Sequence, residues 1–363
     1  MAGLHLYMTQ NNTHLLVGTA KGAFILNRNG NGWDMTGPHF AGRSVYAMNA
    51  DRRNGRNRLW AAATSWHFGA ELVKSDDMGE TWDAPEEMRI KFPEDTEKSL
   101  ENIWQIMPGA DDDTMYVGVA PAALFESKDS GETWSLNRGL WNHPHREQWT
   151  PGFGGLCLHT IVTDADEPKS LKIAISTGGV YQSEDGGENW RVSNTGVKAY
   201  FLPDQYPEFG QCVHKIARHP EKKDTLFLQN HHGVYRSRDG GNSWQEIENG
   251  LPSNFGFGLT VTASGDVFIV PLDSDGKRFT CEGKLRVYRS RDEGDTWEPL
   301  TNGLPQEDAY EVILRDAVGS VGDEVYFGTK NGKLFGSADG GDSWEMIRGS
   351  LPEINCVKAV YLG

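Results

Sequence analysis

The chain has 363 residues with 35 basic and 51 acidic side chains, which gives a net charge of −16 at pH 7. This acidic balance disfavours nucleic acid as a partner, because like charges repel and no basic run compensates locally. No stretch of eighteen apolar residues is present, so no membrane-spanning segment is expected. The first fourteen residues lack the basic and apolar regions of a signal peptide, and four cysteines are too few for a disulfide framework. We therefore expect a cytoplasmic protein.

The pattern Ser-x-Asp-x-Gly-x-Thr/Ser/Asn-Trp recurs along the whole chain. A degenerate first copy ends at Trp33, where Asn-Arg-Asn-Gly replaces the Ser/Asp part. The six complete copies occupy residues 75–82, 127–134, 183–190, 237–244, 290–297 and 337–344. Successive tryptophans lie 47 to 56 residues apart, which is typical of one four-stranded blade of a β-propeller.

Within each period, short runs alternate apolar and polar residues and are separated by turn residues, a pattern that predicts strands. In the fourth and fifth periods the first strands are predicted over 158–163 and 213–218, the second over 172–176 and 225–229, and the third over 180–183 and 234–237. A fourth strand is predicted to begin at the tryptophan. The C-terminal run 356–362 resembles a first strand without a following blade, so we expect it to close the ring by pairing with the N-terminal blade. The sequence thus predicts one all-β domain over residues 1–363, a seven-bladed β-propeller.

The repeated motif has a structural reason. An aspartate in a tight turn accepts hydrogen bonds from backbone N–H groups, and the glycine supplies a positive φ. The tryptophan adds a large apolar body that can pack between blades. These repeats resemble the Asp-box, or BNR, repeats of the sialidase-like propellers, and similar boxes occur in xyloglucan-degrading glycosidases, sortilin-type receptors and photosystem II assembly factors. The resemblance covers nearly the whole chain and implies the fold, whereas unrelated activities share this scaffold.

Propeller geometry sorts the loops between two faces. The motif turns join third and fourth strands, while the loops that enter each first strand lie on the opposite face. The long segments 83–102, 135–157, 191–212 and 272–284 belong to that opposite face, where we expect a site at the channel mouth. Eight of the eleven histidines are predicted there, namely His39, His67, His143, His145, His159, His214, His231 and His232.

Aligning the predicted first strands suggests a ring of side chains around the channel mouth. The aligned residues are Tyr46, Trp104, His159, His214, Leu259, Glu311 and Lys358. A second ring three residues earlier contains Arg43, Glu101, Leu156, Gln211, Gly256, Asp308 and Asn355. The mixture of polar types at equivalent positions is typical of a pocket with convergent polar groups.

This ring suggests two kinds of chemistry. His159 and His214 would act as general acid and base, with Glu311 and Tyr46 as further catalytic residues. Alternatively, the two histidines would bind zinc, manganese, iron or nickel. The set would be completed by His67, His231 or His143.

Other side chains suggest substrate binding. Arg43, Arg146 and Lys358 would hold a carboxylate or phosphate. Flat faces for a sugar ring are offered by Tyr46, Trp66, Trp104 and Trp149, and Glu101 adds a polar contact. Each prediction has a structural alternative, in which a histidine bonds loop backbone and a tryptophan simply packs.

Two functions remain open from the sequence. The first is an enzyme that acts on a carbohydrate or related polar molecule by hydrolysis or elimination, with a carboxylate pair drawn from Glu71, Glu101, Asp308 and Glu311, or with a metal. A true sialidase is disfavoured, because the Arg-Ile-Pro motif implied by that resemblance is absent. The second is a non-catalytic binding or assembly propeller. Its partner would meet the loop aromatics Trp141, Trp149, Tyr200, Phe201, Tyr206 and Phe209.

Overall fold

This computed structural model describes residues 13–65, 67 and 69–362. The strands of these residues form seven small antiparallel sheets. Six sheets have four strands and one has three. Each sheet is one blade, and the blades follow one another in chain order. The predicted seven-bladed β-propeller is thereby confirmed.

The blades have the following strands. Blade 1 contains β27 (Ile354–Tyr361), β1 (Thr13–Thr19), β2 (Gly22–Asn29) and β3 (Gly32–His39), in that spatial order. Blade 2 contains β4 (Ser44–Asp51), β5 (Arg58–Ser65) and β6 (Gly69–Ser75). Blade 3 contains β7 (Asn102–Pro108), β8 (Met115–Ala120), β9 (Ala123–Ser127) and β10 (Ser135–Leu136). Blade 4 contains β11 (Leu158–Thr163), β12 (Leu171–Ile175), β13 (Gly179–Ser183) and β14 (Arg191–Val192).

Blade 5 contains β15 (Val213–Arg218), β16 (Leu226–Asn230), β17 (Val234–Ser237) and β18 (Gln245–Glu246). Blade 6 contains β19 (Phe255–Val261), β20 (Val267–Leu272), β21 (Val287–Ser290) and β22 (Glu298–Leu300). Blade 7 contains β23 (Val318–Val321), β24 (Glu324–Gly328), β25 (Leu334–Ser337) and β26 (Glu345–Arg348). The predicted strands of the fourth and fifth periods match these bounds to within one residue.

Helix is confined to short loop segments. They are the α-helix α1 (Arg138–Trp141) and the 3-10 turns Arg53–Gly55, Glu94–Thr96, Arg146–Gln148 and Cys281–Gly283. Among the described residues, none of these helices has the length and apolar character needed to cross a bilayer.

The first and the last strand of the described residues meet in blade 1. Strand β27 pairs antiparallel with β1, so that Lys358 lies opposite Leu16 and Val357 opposite Val17. The C-terminal strand therefore occupies the innermost position of the blade that the N-terminal strands complete. This pairing covers a strand edge that would otherwise expose unpaired backbone groups.

The motif turns join the third and fourth strands through a repeated set of hydrogen bonds. In blade 4 the Ser183 hydroxyl donates to Asp185 Oδ1 over 2.8 Å and accepts from the Gly187 N–H over 2.8 Å. The Asn189 N–H donates to Asp185 Oδ1 over 3.0 Å. Gly187 has φ +92°, a backbone conformation that other residues resist. The aspartate thus satisfies the turn's own donors.

Each motif tryptophan packs against the preceding blade. Trp190, Trp244, Trp297 and Trp344 are buried within hydrophobic clusters shared by neighbouring sheets. The Trp244 indole N–H also donates to the Ser193 carbonyl of blade 4 over 2.8 Å. The core is therefore a ring of interfaces between blades.

Six of the inner strands carry a β-bulge near the end that enters from the long-loop face, and in β27 the residue without a partner is Asn355. In four of them the bulge inserts one extra residue that has no partner in the ladder. This residue is Tyr46 in β4, Trp104 in β7, His159 in β11 and His214 in β15. In β19 the register skips two residues, 257 and 258. Because a bulge redirects the side chain of its extra residue, it creates a special position at the channel mouth.

The predicted ring is wrong at three of its seven positions. Leu259 lies opposite Ile269, and Lys358 lies opposite Leu16, both in regular ladder positions. Glu311 precedes β23 by several residues and lies outside any strand. The apolar pattern used for the alignment does not reveal how many residues each bulge inserts, so the alignment slips.

Candidate functional site

A cavity of about 590 Å³ opens on the long-loop face beside the channel mouth. We call it the histidine cavity. Its polar lining includes Cys212, His214, His231, His232, Asp275, Arg278 and Arg315. Its apolar lining includes Phe153, Phe201, Leu202 and Phe257. The volume is within the range of small-molecule sites.

The hairpin β15–β16 brings three potential ligand or acid–base groups together. Cys212 directly precedes β15, and His214 is the bulge residue of that strand. His231 directly follows β16, and its N–H donates to the Cys212 carbonyl over 2.8 Å. His214 Nε2 lies 3.6 Å from Cys212 Sγ and 3.4 Å from His231 Nδ1. The three side chains therefore converge at the floor of the histidine cavity.

The orientation of His214 is set by the next blade. Its Nδ1 lies 2.6 Å from the Gly256 carbonyl, which can only accept, so Nδ1 carries the proton and Nε2 keeps its lone pair for the cavity. Burial, followed by the charge of Arg315, holds the pKa of His214 well below its usual value. His214 is therefore a neutral imidazole with an available nitrogen.

His159 has the same bulge position in blade 4 but a different role. Its Nε2 bonds the Val213 carbonyl at 2.9 Å, and its Nδ1 lies 3.0 Å from the Thr160 hydroxyl. The side chain is 0% exposed and lines neither the histidine cavity nor the channel cavity that Trp104 and Lys358 border. Burial holds its pKa well below the usual value. The predicted pairing of His159 with His214 in one pocket is therefore not found, because both ring nitrogens of His159 are already engaged.

His231 is held by a carboxylate. Its Nε2 lies 3.4 Å from Asp275 Oδ2, and Asp275 is bound in turn by Arg278, whose Nε donates to Oδ1 over 2.9 Å. Burial lowers the pKa of His231. Since Nε2 faces the carboxylate, Nδ1 is left to face Cys212 and His214.

Arg315 is a central residue that the sequence analysis missed. It belongs to the irregular segment before β23 and reaches across the channel mouth. Its guanidinium lies 5.1 Å from the Trp104 ring centroid, and Nη1 lies 3.7 Å from Cys157 Sγ. No carboxylate of the described residues lies within ion-pair distance of it. The sequence contains no local signal for this placement, because Arg315 lies outside any strand, in the irregular segment before β23.

Trp104 and Lys358 line a second cavity of about 350 Å³ inside the channel. The Trp104 ring lies 5.1 Å from that of Tyr46, so these two predicted residues do meet. Lys215 forms an ion pair with Asp316 within the same cavity. Burial, with a smaller effect from the charge of Lys215, lowers the pKa of Lys358. These residues belong to the channel and not to the histidine cavity.

Two predicted charged residues form structural ion pairs. Arg43 Nη1 donates to Glu71 Oε2 over 2.7 Å, and the guanidinium also bonds the Ala63 carbonyl. The Lys333 ammonium donates to Glu311 Oε1 over 2.6 Å, and Glu311 is buried. Neither Arg43 nor Glu311 lines the histidine cavity.

The remaining predicted residues are dispersed. Arg146 stacks on the Trp141 ring at 3.3 Å from its centroid and contacts Glu147. Glu101 and His67 are exposed and line neither the histidine nor the channel cavity. Trp66 lies outside the described residues.

Comparisons with known proteins show which proteins the chain is similar to. No known family profile matches it. It is 27% identical over 204 residues to the oligoxyloglucan-reducing end-specific xyloglucanase of Emericella nidulans, covering 49% of this chain and 24% of that protein. The GH74 xyloglucanase structure from Xanthomonas campestris superposes with a TM-score of 0.59 at 16% identity, over 83% of this chain and 45% of that one.

A structure of YCF48 bound to D1 peptide superposes with a TM-score of 0.53 at 15% identity, over 93% of this chain and 85% of that one. At these identities the structural likenesses show a common fold. The chain spans about a quarter of the curated xyloglucanase and under half of the GH74 structure. It is thus a seven-bladed propeller whose fold is shared by the GH74 xyloglucanase and by YCF48.

Proposed function

We propose that this protein is an enzyme that acts by hydrolysis or elimination on a small acidic carbohydrate, or a related polar anion, bound in the histidine cavity. One observation carries the proposal. Arg315, which has no carboxylate partner in the part of the chain that the structure describes, lines the same cavity as the convergent cluster Cys212, His214 and His231. The arginine supplies substrate recognition, and the cluster supplies the reactive centre.

The charges of the cavity favour an anion. Arg278 is neutralised by Asp275, whereas Arg315 has only the Cys157 sulfur and the Trp104 ring as partners among the described residues. A half-buried guanidinium has N–H groups to donate and binds a carboxylate, sulfate or phosphate with two parallel hydrogen bonds. An acidic sugar provides such a group.

Aromatic side chains favour a ring-shaped substrate. Phe153 and Phe201 stand at the rim, with 94% and 49% of their surface exposed, and Phe257 lies deeper. Flat apolar faces of this kind suit one side of a sugar ring. The likeness to xyloglucanases supports a carbohydrate substrate on independent grounds.

The cavity does not provide two facing carboxylates. Among the described lining residues Asp275 is the single carboxylate, and Arg278 and His231 hold it. Retaining and inverting glycosidases of the usual kind need a second carboxyl group about 5 to 9.5 Å away. A reaction centred on the Cys212–His214–His231 cluster fits the cavity better.

Turnover of chromogenic glycosides tests the proposal. Glucuronides and galacturonides are compared with neutral glucosides and with xyloglucan oligosaccharides, using the wild type, Arg315→Met and the exposed surface variant Arg238→Met. We expect turnover of an acidic substrate, and a loss of about 10- to 100-fold in kcat/KM with Arg315→Met, since hydrogen bonds to charged groups contribute about 1.5 to 3 kcal/mol. Arg238→Met should match the wild type.

Two results would contradict the proposal. One is preferred turnover of neutral xyloglucan oligosaccharides with no effect of Arg315→Met. The other is the absence of both turnover and detectable binding of every acidic sugar tested.

A second function is favoured by exposed aromatics on the same face. Tyr200, Phe201 and Tyr206 are each about half exposed in the segment between β14 and β15. The other predicted members of this surface turn inward, since Trp149 is buried and Phe209 stacks on His145 at 4.1 Å between ring centroids. The remaining patch would suit a peptide. Enrichment from a displayed peptide library that disappears with Phe201→Ala and Tyr206→Ala would support this function.

A further inference from the structure

We propose that Cys212, His214 and His231 form a zinc site with an open fourth position in the histidine cavity. The inference deepens the proposed function, because it assigns the group at the centre of the same cavity. Its argument uses no substrate, so it can be tested separately. Of the predicted metal ligands, His214 and His231 belong to this set, while His159 does not, and Cys212 is new.

Two of the three donor-atom separations match tetrahedral zinc. With Zn–N bonds of about 2.0 Å and a Zn–S bond of about 2.3 Å, tetrahedral geometry separates two nitrogens by about 3.3 Å and a nitrogen from a sulfur by about 3.5 Å. The observed separations are 3.4 Å for His214 Nε2 and His231 Nδ1, and 3.6 Å for His214 Nε2 and Cys212 Sγ. All three donor atoms lie within 4.8 Å of one another.

The surrounding hydrogen bonds orient both imidazoles for a metal. Histidine ligands donate their other ring N–H to a carbonyl or carboxylate, which fixes the tautomer. His214 does so with the Gly256 carbonyl at 2.6 Å, and His231 faces Asp275 at 3.4 Å. Arg278 holds that carboxylate in place. The nitrogens that remain, Nε2 of His214 and Nδ1 of His231, are the two that converge on Cys212.

The repeat provides an internal comparison. Cys157 and His159 are the blade 4 counterparts of Cys212 and His214. There the histidine turns Nε2 to the Val213 carbonyl and Nδ1 to a hydroxyl, so no nitrogen points to the sulfur. The position equivalent to His231 is Ser176, whose N–H donates to the Cys157 carbonyl. The equivalent positions of two neighbouring blades thus differ. In blade 5 the donor atoms face one another as metal ligands would, whereas in blade 4 the histidine forms hydrogen bonds within the protein.

Thiolate and imidazole donors select zinc over hard cations such as magnesium or calcium. Binding requires the Cys212 thiol to lose its proton to solvent, giving one thiolate and two neutral imidazoles around a dication. Three protein ligands leave a fourth position for water, as in catalytic zinc sites, and such water ionises near neutral pH. Arg315 would then hold a substrate anion beside that position.

Metal content of the untagged protein, purified without chelators and dialysed against zinc and then buffer, tests the site. We expect about one zinc per chain for the wild type and for Cys157→Ser, the repeat-equivalent control. Cys212→Ser and His231→Ala should lose zinc affinity by at least 10-fold, as expected when a direct ligand is removed.

Cobalt substitution of the wild type provides a second measurement that does not depend on variants folding. A tetrahedral Co²⁺ spectrum with a thiolate-to-metal charge-transfer band supports the site, and a spectrum without that band overturns it. Zinc-free wild type after zinc dialysis, or equal zinc in Cys212→Ser and Cys157→Ser, also overturns it. Acidic glycoside turnover by zinc-free protein would leave the proposed function standing while the metal site fails.

Discussion

Replacement of His159 by alanine is expected to affect stability and not zinc binding. The side chain is 0% exposed and bonds the Val213 carbonyl at 2.9 Å and the Thr160 hydroxyl at 3.0 Å. Removing the side chain leaves a buried acceptor unsatisfied, which lowers the free energy of unfolding by about 1 to 3 kcal/mol. The lost packing lowers it by a further ~1 to 2 kcal/mol. We therefore expect a loss of about 2 to 5 kcal/mol in the free energy of unfolding.

The loss converts to a shift in melting temperature. With an unfolding entropy of about 2.1 cal/mol/K per residue, a chain of this length should melt about 3 to 7 °C lower. Calorimetry or a thermal melt monitored by circular dichroism measures the shift, and the folded variant should still bind one zinc per chain. His214→Ala is the comparison, because it should lose zinc. A His159→Ala protein that melts like the wild type, or that loses zinc as His214→Ala does, would refute the structural role assigned to His159.

Three further predictions concern the propeller itself. The pKa of Asp185 is lowered to about 2 by hydrogen bonds from the backbone and side chain of Asn189. Its contribution is therefore complete above about pH 4 and is lost as the pH falls towards 2, so the difference in melting temperature between wild type and Asp185→Asn should shrink over that range. A difference in melting temperature that does not change with pH would contradict this prediction. Gly187→Ala should destabilise the protein by about 2 kcal/mol, because φ is +92° and a Cβ would lie 2.5 Å from an asparagine side chain. Gly186→Ala is the control, because Gly186 has φ +83° but open space around a Cβ, and it should lower the free energy of unfolding by about 1 kcal/mol. Equal losses for the two variants in urea unfolding would argue against the close contact at Gly187. Removing residues 354–363 should abolish cooperative unfolding or cause aggregation in size-exclusion chromatography, since the edge of β1 is exposed; a monomer with native stability would contradict ring closure by β27.

Much of the fold could be predicted because its signals are local. The spacing of motif tryptophans such as Trp190 and Trp244 predicts the blade period, and alternating runs predict strands close to their observed bounds. The same pattern failed at Leu259, Glu311 and Lys358, because a bulge inserts residues without changing the apolar alternation. Strand existence is set by neighbours in sequence, whereas bulge length depends on what the strand meets across the channel.

The candidate site could be predicted only in part. The sequence determined that polar side chains gather at the channel mouth, and it placed His214 and His231 on the correct face. It could not separate His214 from His159, because the two residues occupy equivalent positions in the repeat. They differ in the ring nitrogen that bonds a carbonyl of the next blade, which is Nδ1 in His214 and Nε2 in His159. That choice, and the arrival of Arg315 from blade 7, depend on contacts between residues far apart in the chain. The repeat therefore determined the propeller, and only the packing of its blades decided which of its equivalent positions form the cavity.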